Sequence, residues 1–185
     1  MRAFIALSLP SSAQSSLASL QQSLAVSGAD VTWVQPQNLH VTMKFLGEIT
    51  DEQRQTIEAL LRRVASGAAP FSLGLEGVGA FPSLAAPRVI WTGIAAGNDV
   101  VLRLAKAIEE GTEEASLPKE ERPFSAHVTL GRVRSAKRRE ALSRALRDAV
   151  WTPPAPCRMS ALTLYQSLLG SSGPTYTVLS EFPLP

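Results

Sequence analysis

Two copies of one short phrase constrain this chain more than anything else in it. They are His40-Val41-Thr42-Met43 and His127-Val128-Thr129-Leu130, and they carry the only two histidines among 185 residues. Side chains alternate across a β-strand, so in each copy the imidazole and the hydroxyl share one face and the aliphatic pair shares the other. Such a strand packs a core on one side and offers a proton-transfer group and a hydrogen-bond donor on the other. Two of them brought together surround one small anion with two imidazoles and two hydroxyls.

The phrases lie 87 positions apart, and their surroundings recur at nearly that offset. The apolar run Phe4–Leu9 is echoed by Val89–Ile94. A helical pattern over Ser11–Ser27, with Leu17, Leu20 and Leu24 on one face, is echoed over Asp99–Glu110 by Val101, Leu104, Ala105 and Ile108. Each phrase is followed by another helix. Thr50-Asp51-Glu52-Gln53 reads as a capping box, and the helix it opens buries Ile57, Leu60, Leu61 and Val64. The second spans 136–150 with Ala141, Leu142, Ala145, Leu146 and Ala149 inward. Alternating strands close the halves, one through Phe71, Leu73 and Leu75 and the other over Arg158–Ser167. The pattern predicts an α+β fold: a duplicated β-α-β-α-β unit, pseudo-repeat halves at about 1–80 and 86–185, with the two His-Val-Thr strands flanking a pseudo-two-fold axis.

At 185 residues the chain has the length of one domain, and 45% hydrophobic against 18% charged residues describes an ordinary globular protein. The expectation is therefore a single bilobal domain over 1–185. Cys157 is alone, so no disulfide forms within the chain, which fits a reducing cytoplasm. The apolar run after Met1-Arg2 is stopped by Pro10 and has an internal counterpart, so it reads as a core strand and not a leader. No stretch approaches the roughly 20 apolar residues of a membrane span. Net charge is only +2, but it is unevenly spread. Arg132, Arg134, Lys137, Arg138, Arg139, Arg144 and Arg147 accompany one acid, Glu140, whereas 109–121 holds six glutamates and one lysine. These segments read either as solvated helix faces or, for the basic one, as a rim that attracts a polyanion.

Paired imidazoles suit phosphodiester hydrolysis. A base takes a proton from water and an acid gives one to the departing alkoxide on the far side of phosphorus. Thr42 and Thr129 can donate to the non-bridging oxygens, and Arg132 can add a forked cationic donor. Ideal alternation turns Arg132 away from His127, unless Gly131 marks a bulge that re-aims it. Lys44 has the parity of His40 and Thr42 and is a second cationic candidate, or else a strand-edge lysine. Phe45 has core parity. Two histidines fall short of a zinc ligand set and no carboxylate or thiol recurs beside them, so no metal and no cofactor is expected.

The residues around the phrases resemble a known family. Trp33-Val34, Pro36, Asn38-Leu39 and His40 through Gly47, together with Arg122-Pro123-Phe124 and His127 through Arg132, are similar to the paired His-x-Thr-x motifs of the 2H phosphoesterase superfamily. Within it they most resemble the LigT-like RNA 2′,3′-cyclic phosphodiesterases of bacteria and archaea, historically called 2′-5′ RNA ligases. Phe81-Pro82-Ser83, Arg88 through Trp91, Leu164-Tyr165, Ser167 and Phe182-Pro183-Leu184 extend the likeness across the chain. The resemblance implies two antiparallel-sheeted lobes with helices outside and a catalytic cleft between them. It implies an enzyme that opens a terminal 2′,3′-cyclic phosphate on RNA to a 2′-phosphomonoester. His40 would protonate the leaving 3′-oxygen, His127 would activate water, and Arg132 would contact the phosphate.

The motifs are nearly symmetric, so the residues themselves assign neither donor nor acceptor and do not decide between a 2′- and a 3′-phosphate product. Two alternatives use the same groups. One is the reverse reaction, a 2′-5′ ligation of tRNA halves; the other is action on small cyclic nucleotides or 2′-5′ oligoadenylate. A binding module without catalysis is disfavoured by the presence of both histidines. The expected partner is RNA with 2′,3′-cyclic phosphate termini, such as tRNA fragments. Neither a membrane nor an obligate protein partner is expected, and the chain is expected to act as a monomer.

Overall fold

A computed structural model describes residues 1–170 and 173–185. Strand β1 (Arg2–Ser8) is buried from Ala3 to Leu7, as befits a strand covered on both faces. Helix α1 (Ser11–Ala25) follows Pro10 and turns Leu17, Leu20 and Leu24 inward. It ends two residues before Ser27, where Gly28 takes a left-handed backbone to start the return. Short strand β2 (Val31–Trp33) and a turn at Pro36–Asn38 lead into β3 (His40–Glu48), which carries the first phrase. Helix α2 (Asp51–Ser66) is opened by the anticipated capping box: the Gln53 N–H donates to Thr50 Oγ1, and the Thr50 N–H donates to Gln53 Oε1. Its buried face is Ile57, Leu60, Leu61 and Ala65; Val64 is only partly covered.

Strands β4 (Phe71–Leu73), β5 (Leu75–Pro82) and β6 (Pro87–Ile94) come next, then α3 (Asn98–Thr112), which buries the four predicted apolar residues. Strand β7 (His127–Val133) holds the second phrase. Helix α4 (Arg139–Arg147) is shorter than 136–150, because Arg138 sits in the left-handed region and Asp148 leaves helical geometry. Leu142 and Leu146 are its buried apolar residues, while Ala141, Ala145 and Ala149 stay half-buried. Strands β8 (Cys157–Met159), β9 (Ala161–Gly170) and β10 (Gly173–Pro183) complete the chain. No helix is long and apolar enough to cross a membrane among the described residues.

All strand pairings are antiparallel, giving the expected α+β class. Seven strands run β10-β9-β1-β3-β7-β6-β5, β2 lies beside β7, and β4 pairs with β8 in a separate ribbon. The two phrase-bearing strands thus meet at the centre, through one register pair, Val41↔Val128. Those two residues occupy the same place in the two phrases, as a two-fold axis between them requires. Continuing the antiparallel register one step sets His40 opposite Thr129 and Thr42 opposite His127. The closing strands change sides: β5 of the first half pairs with β6 of the second, and β9 of the second pairs with β1 of the first.

Both outer neighbours of the central strands slip by one residue at the same point. Along β1–β3 the register passes from Ala6↔Thr42 to Ile5↔Lys44, skipping Met43; along β6–β7 it passes from Trp91↔Thr129 to Ile90↔Gly131, skipping Leu130. A bulge puts two successive side chains on one face and inverts the alternation beyond it. Met43 and Lys44 are accordingly both buried, as are Leu130 and Gly131. This corrects two expectations. Lys44 points into the core, where it forms an ion pair with Glu109 of α3 and donates to the Pro118 carbonyl at 3.2 Å. Phe45, expected inside, is 57% exposed and lies 6.1 Å from the Phe4 ring. The equivalent inversion in β7 turns Arg132 onto the face of His127. Gly131 makes room for β2: a Cβ there would come within 2.8 Å of Val31 Cγ1 and 2.9 Å of Trp33 Cε3.

Candidate active site

The central strands place His40, Thr42, His127 and Thr129 on one face, all half-buried. Each imidazole is oriented by the carbonyl two residues before it. His40 Nδ1 lies 2.6 Å from the Asn38 oxygen, and His127 Nδ1 lies 2.7 Å from the Ser125 oxygen. A carbonyl only accepts, so both Nδ1 atoms carry hydrogen and donate. The proton that each ring can gain or lose is therefore on Nε2. His40 Nε2 lies 2.9 Å from Thr42 Oγ1, which donates to it when the ring is neutral.

Aromatic rings wall each imidazole. Phe4 is 5.0 Å from His40 between centroids and Tyr176, on β10, meets it edge-on at 5.6 Å. Phe81 meets His127 edge-on at 5.1 Å and Trp91 stands 6.4 Å away. These walls strip water from the rings and disfavour their charged forms. Burial holds His40 below its ordinary 6.5, against the opposing pull of the Asn38 carbonyl, and the nearby charge of His127 lowers it further. Burial likewise lowers His127, opposed by the Ser125 carbonyl and reinforced by Arg132. The two rings thus sense each other. Arg132 acts on His127 from one side and on the Tyr176 phenol from the other; burial pushes that phenol up while Arg132 pulls it down. Arg132 is exposed, and its charge reaches both His127 and Tyr176.

All five predicted residues, His40, Thr42, His127, Thr129 and Arg132, therefore share one face of the sheet. Lys44 does not join them. The aromatic walls escaped the reading of the residues as chemistry: Phe4 and Trp91 lie in apolar runs that read as core, and Tyr176 comes from a strand with no local signal linking it to His40. Among the described residues, no three His, Cys, Asp or Glu side chains converge in a metal-binding group.

Two imidazoles oriented by backbone carbonyls, with Thr42 beside one Nε2 and an arginine on the same face of the sheet, can carry acid–base chemistry on an anionic ester. Comparison with known proteins gives the family. The LigT like Phosphoesterase family matches the chain over residues 7–91 and again over 94–176, and the chain belongs to it. An Aquifex aeolicus RNA 2′,3′-cyclic phosphodiesterase is 35% identical over 82% of this chain and 81% of its own length. The crystal structure of a Thermus thermophilus protein superposes with a TM-score of 0.82 at 32% identity, covering 100% of this chain and 98% of that one. Escherichia coli LigT complexed with 3′-AMP gives 0.78 at 25% identity, over 99% and 97%.

Proposed function

We propose that this enzyme hydrolyses the 2′,3′-cyclic phosphodiester ends of RNA to 2′-phosphomonoesters, without a metal, by paired-histidine acid–base catalysis. The observation that carries the reading is the pair of imidazoles whose Nδ1 atoms are both tied to backbone carbonyls, so that proton transfer runs through Nε2 in each, with Thr42 Oγ1 beside that of His40. His127 Nε2 takes a proton from water as the water oxygen attacks phosphorus. The P–O3′ bond breaks, and His40 Nε2 delivers its proton to the departing 3′-oxygen. One proton enters the site on His127 as another leaves from His40, and exchange with solvent resets the pair. Thr42, Thr129 and Arg132 hold the non-bridging oxygens, where charge is concentrated during the reaction. Cleaving P–O3′ and not P–O2′ is the orientation implied by the family resemblance.

A buried imidazole with a lowered pKa is a poor acid until an anion arrives. The bound phosphate supplies the opposite charge that favours the protonated form. Both imidazoles come from one chain, which supports a monomer acting as a single bilobal unit over 1–185, with halves at about 1–80 and 86–185. The solitary Cys157 supports a cytoplasmic setting.

The test is a defined oligonucleotide with a 2′,3′-cyclic end, incubated with the protein in excess chelator, the product being identified by mass spectrometry. Ring opening to a 2′-phosphate is expected. His40→Ala and His127→Ala should each lower turnover by roughly 10²–10⁴-fold. Full activity in both variants would overturn the site.

A further inference from the structure

We propose that the basic face running from Arg132 across the β2 edge to α4 docks the ribose–phosphate backbone of RNA upstream of the reacting end. The proposal rests on the cleft being the hydrolytic site, and it names the surface that the body of the substrate occupies. The first observation is ion pairing. Of the eleven basic side chains outside 132–147, six are paired with acids among the described residues (Lys44, Arg54, Arg63, Arg103, Lys106 and Lys119), and the unpaired Arg2, Arg62, Arg88, Arg122 and Arg158 are scattered along the chain. None of the seven basic residues between 132 and 147 is paired among the described residues. All seven are exposed. Glu140 stands four residues before Arg144 on α4, Asp148 follows Arg147, and the Asp30 carbonyl accepts from the Arg134 N–H, yet none of these acids forms an ion pair among the described residues.

The second observation is that helix stability does not explain the charges. Arg144 and Arg147 in the last turn of α4 suit its carbonyl end. Lys137, Arg138 and Arg139 stand at the opposite end, where unpaired N–H groups make positive charge unfavourable. The fold alone would select against cations there; a polyanion lying across the segment reverses that penalty.

The third is continuity with the cleft. Arg132 pairs in register with Thr32 of β2, and Arg134 Nε donates to the Thr32 hydroxyl at 2.8 Å. The Arg138 side chain lies over Gly28 at the end of α1, so close that a Cβ there would be 3.0 Å from its Nη1. The cations thus step from beside His127, over the sheet edge, onto the outer helix. Four of the acids in 109–121, Glu109, Glu110, Glu113 and Glu114, pair with cations outside the basic segment.

The experiment compares wild type with Lys137→Glu/Arg139→Glu/Arg144→Glu, which touches nothing assigned to catalysis, on a 2′,3′-cyclic mononucleotide and on a 20-mer bearing the same end. Unchanged mononucleotide turnover shows that the variant folds. KM for the 20-mer should rise at least tenfold. The slope of log KM against log salt should fall by about 2, at roughly 0.7 per lost single-strand phosphate contact. Equal kinetics of variant and wild type on the 20-mer would overturn the proposal. So would loss of binding to phosphatidylserine vesicles with RNA kinetics unchanged, which would assign the face to a membrane. If the variant loses mononucleotide turnover, Lys137→Gln/Arg139→Gln/Arg144→Gln replaces it, with the same criteria. If wild type fails on the mononucleotide, the hydrolase reading fails; 20-mer binding by fluorescence anisotropy, with and without the substitutions, still decides the surface.

Discussion

At the scale of single residues, burial makes both imidazoles unwilling to carry charge, and in the proposed mechanism an anion between them reverses that. The productive form of the pair holds one proton, and burial lowers both rings below 6.5. Only below that pH is the singly protonated form well populated in the free protein, so kcat/KM should peak below pH 6.5. Bound phosphate raises both values, so the kcat maximum should lie at higher pH. A kcat/KM maximum above about pH 7 on a cyclic mononucleotide would contradict this account. The two limbs belong to the coupled pair and not to either ring alone. Arg132→Gln removes a charge that lowers His127, so the pair's titration should shift upward while KM rises. Arg132→Lys should restore the pH profile better than the KM, because an ammonium supplies charge without a planar fork.

At the scale of the strand, the two bulges after Thr42 and Thr129 decide which side chains face the cleft. Period-two alternation correctly placed His40, Thr42, His127 and Thr129, all of which precede the slip. It misplaced Lys44 and Phe45 and cast doubt on Arg132, all of which follow it. A one-residue slip inverts the positions that follow it, up to a second slip at Leu46 in β3, and only the neighbours β1 and β6 show where each falls. Gly131 was the one local hint. Inverted, Lys44 becomes a buried cation whose partner Glu109 also accepts from the Glu120 N–H at 2.8 Å, tying down the loop that leads to His127. The Lys44 side chain is 2% exposed and that of Glu109 29%. Glu109→Gln therefore strands a buried charge and should cost about 3 kcal/mol in denaturant unfolding. Lys44→Met should cost less, since the remaining carboxylate reaches water. The cap on α2 is a smaller, local element, and Thr50→Ala should cost about 1 kcal/mol in the same measurement.

At the scale of the whole molecule, the exchange of closing strands makes each half a component of the other's sheet. Without β6, strand β5 has no sheet partner; without β9, β1 has an open edge. Fragments 1–84 and 85–185 should each lack a cooperative unfolding transition by circular dichroism, and mixing them should recover one together with activity. A cooperatively folded isolated half would contradict the topology.

Short-range rules settled the elements and the chemistry that rides on them. Helix periodicity, the capping box and strand alternation are all local, and both His-Val-Thr phrases obey them within four residues. Their repetition at 87 positions then announced the duplicated fold. Packing across the molecule set the position of the bulges, the crossing of β5 and β9, and the arrival of Tyr176 and Phe81 beside the imidazoles. It also left the basic residues around α4 without acidic partners among the described residues. Those outcomes depend on contacts between residues far apart in the chain, whose partners are chosen by packing and register rather than by any neighbour in sequence.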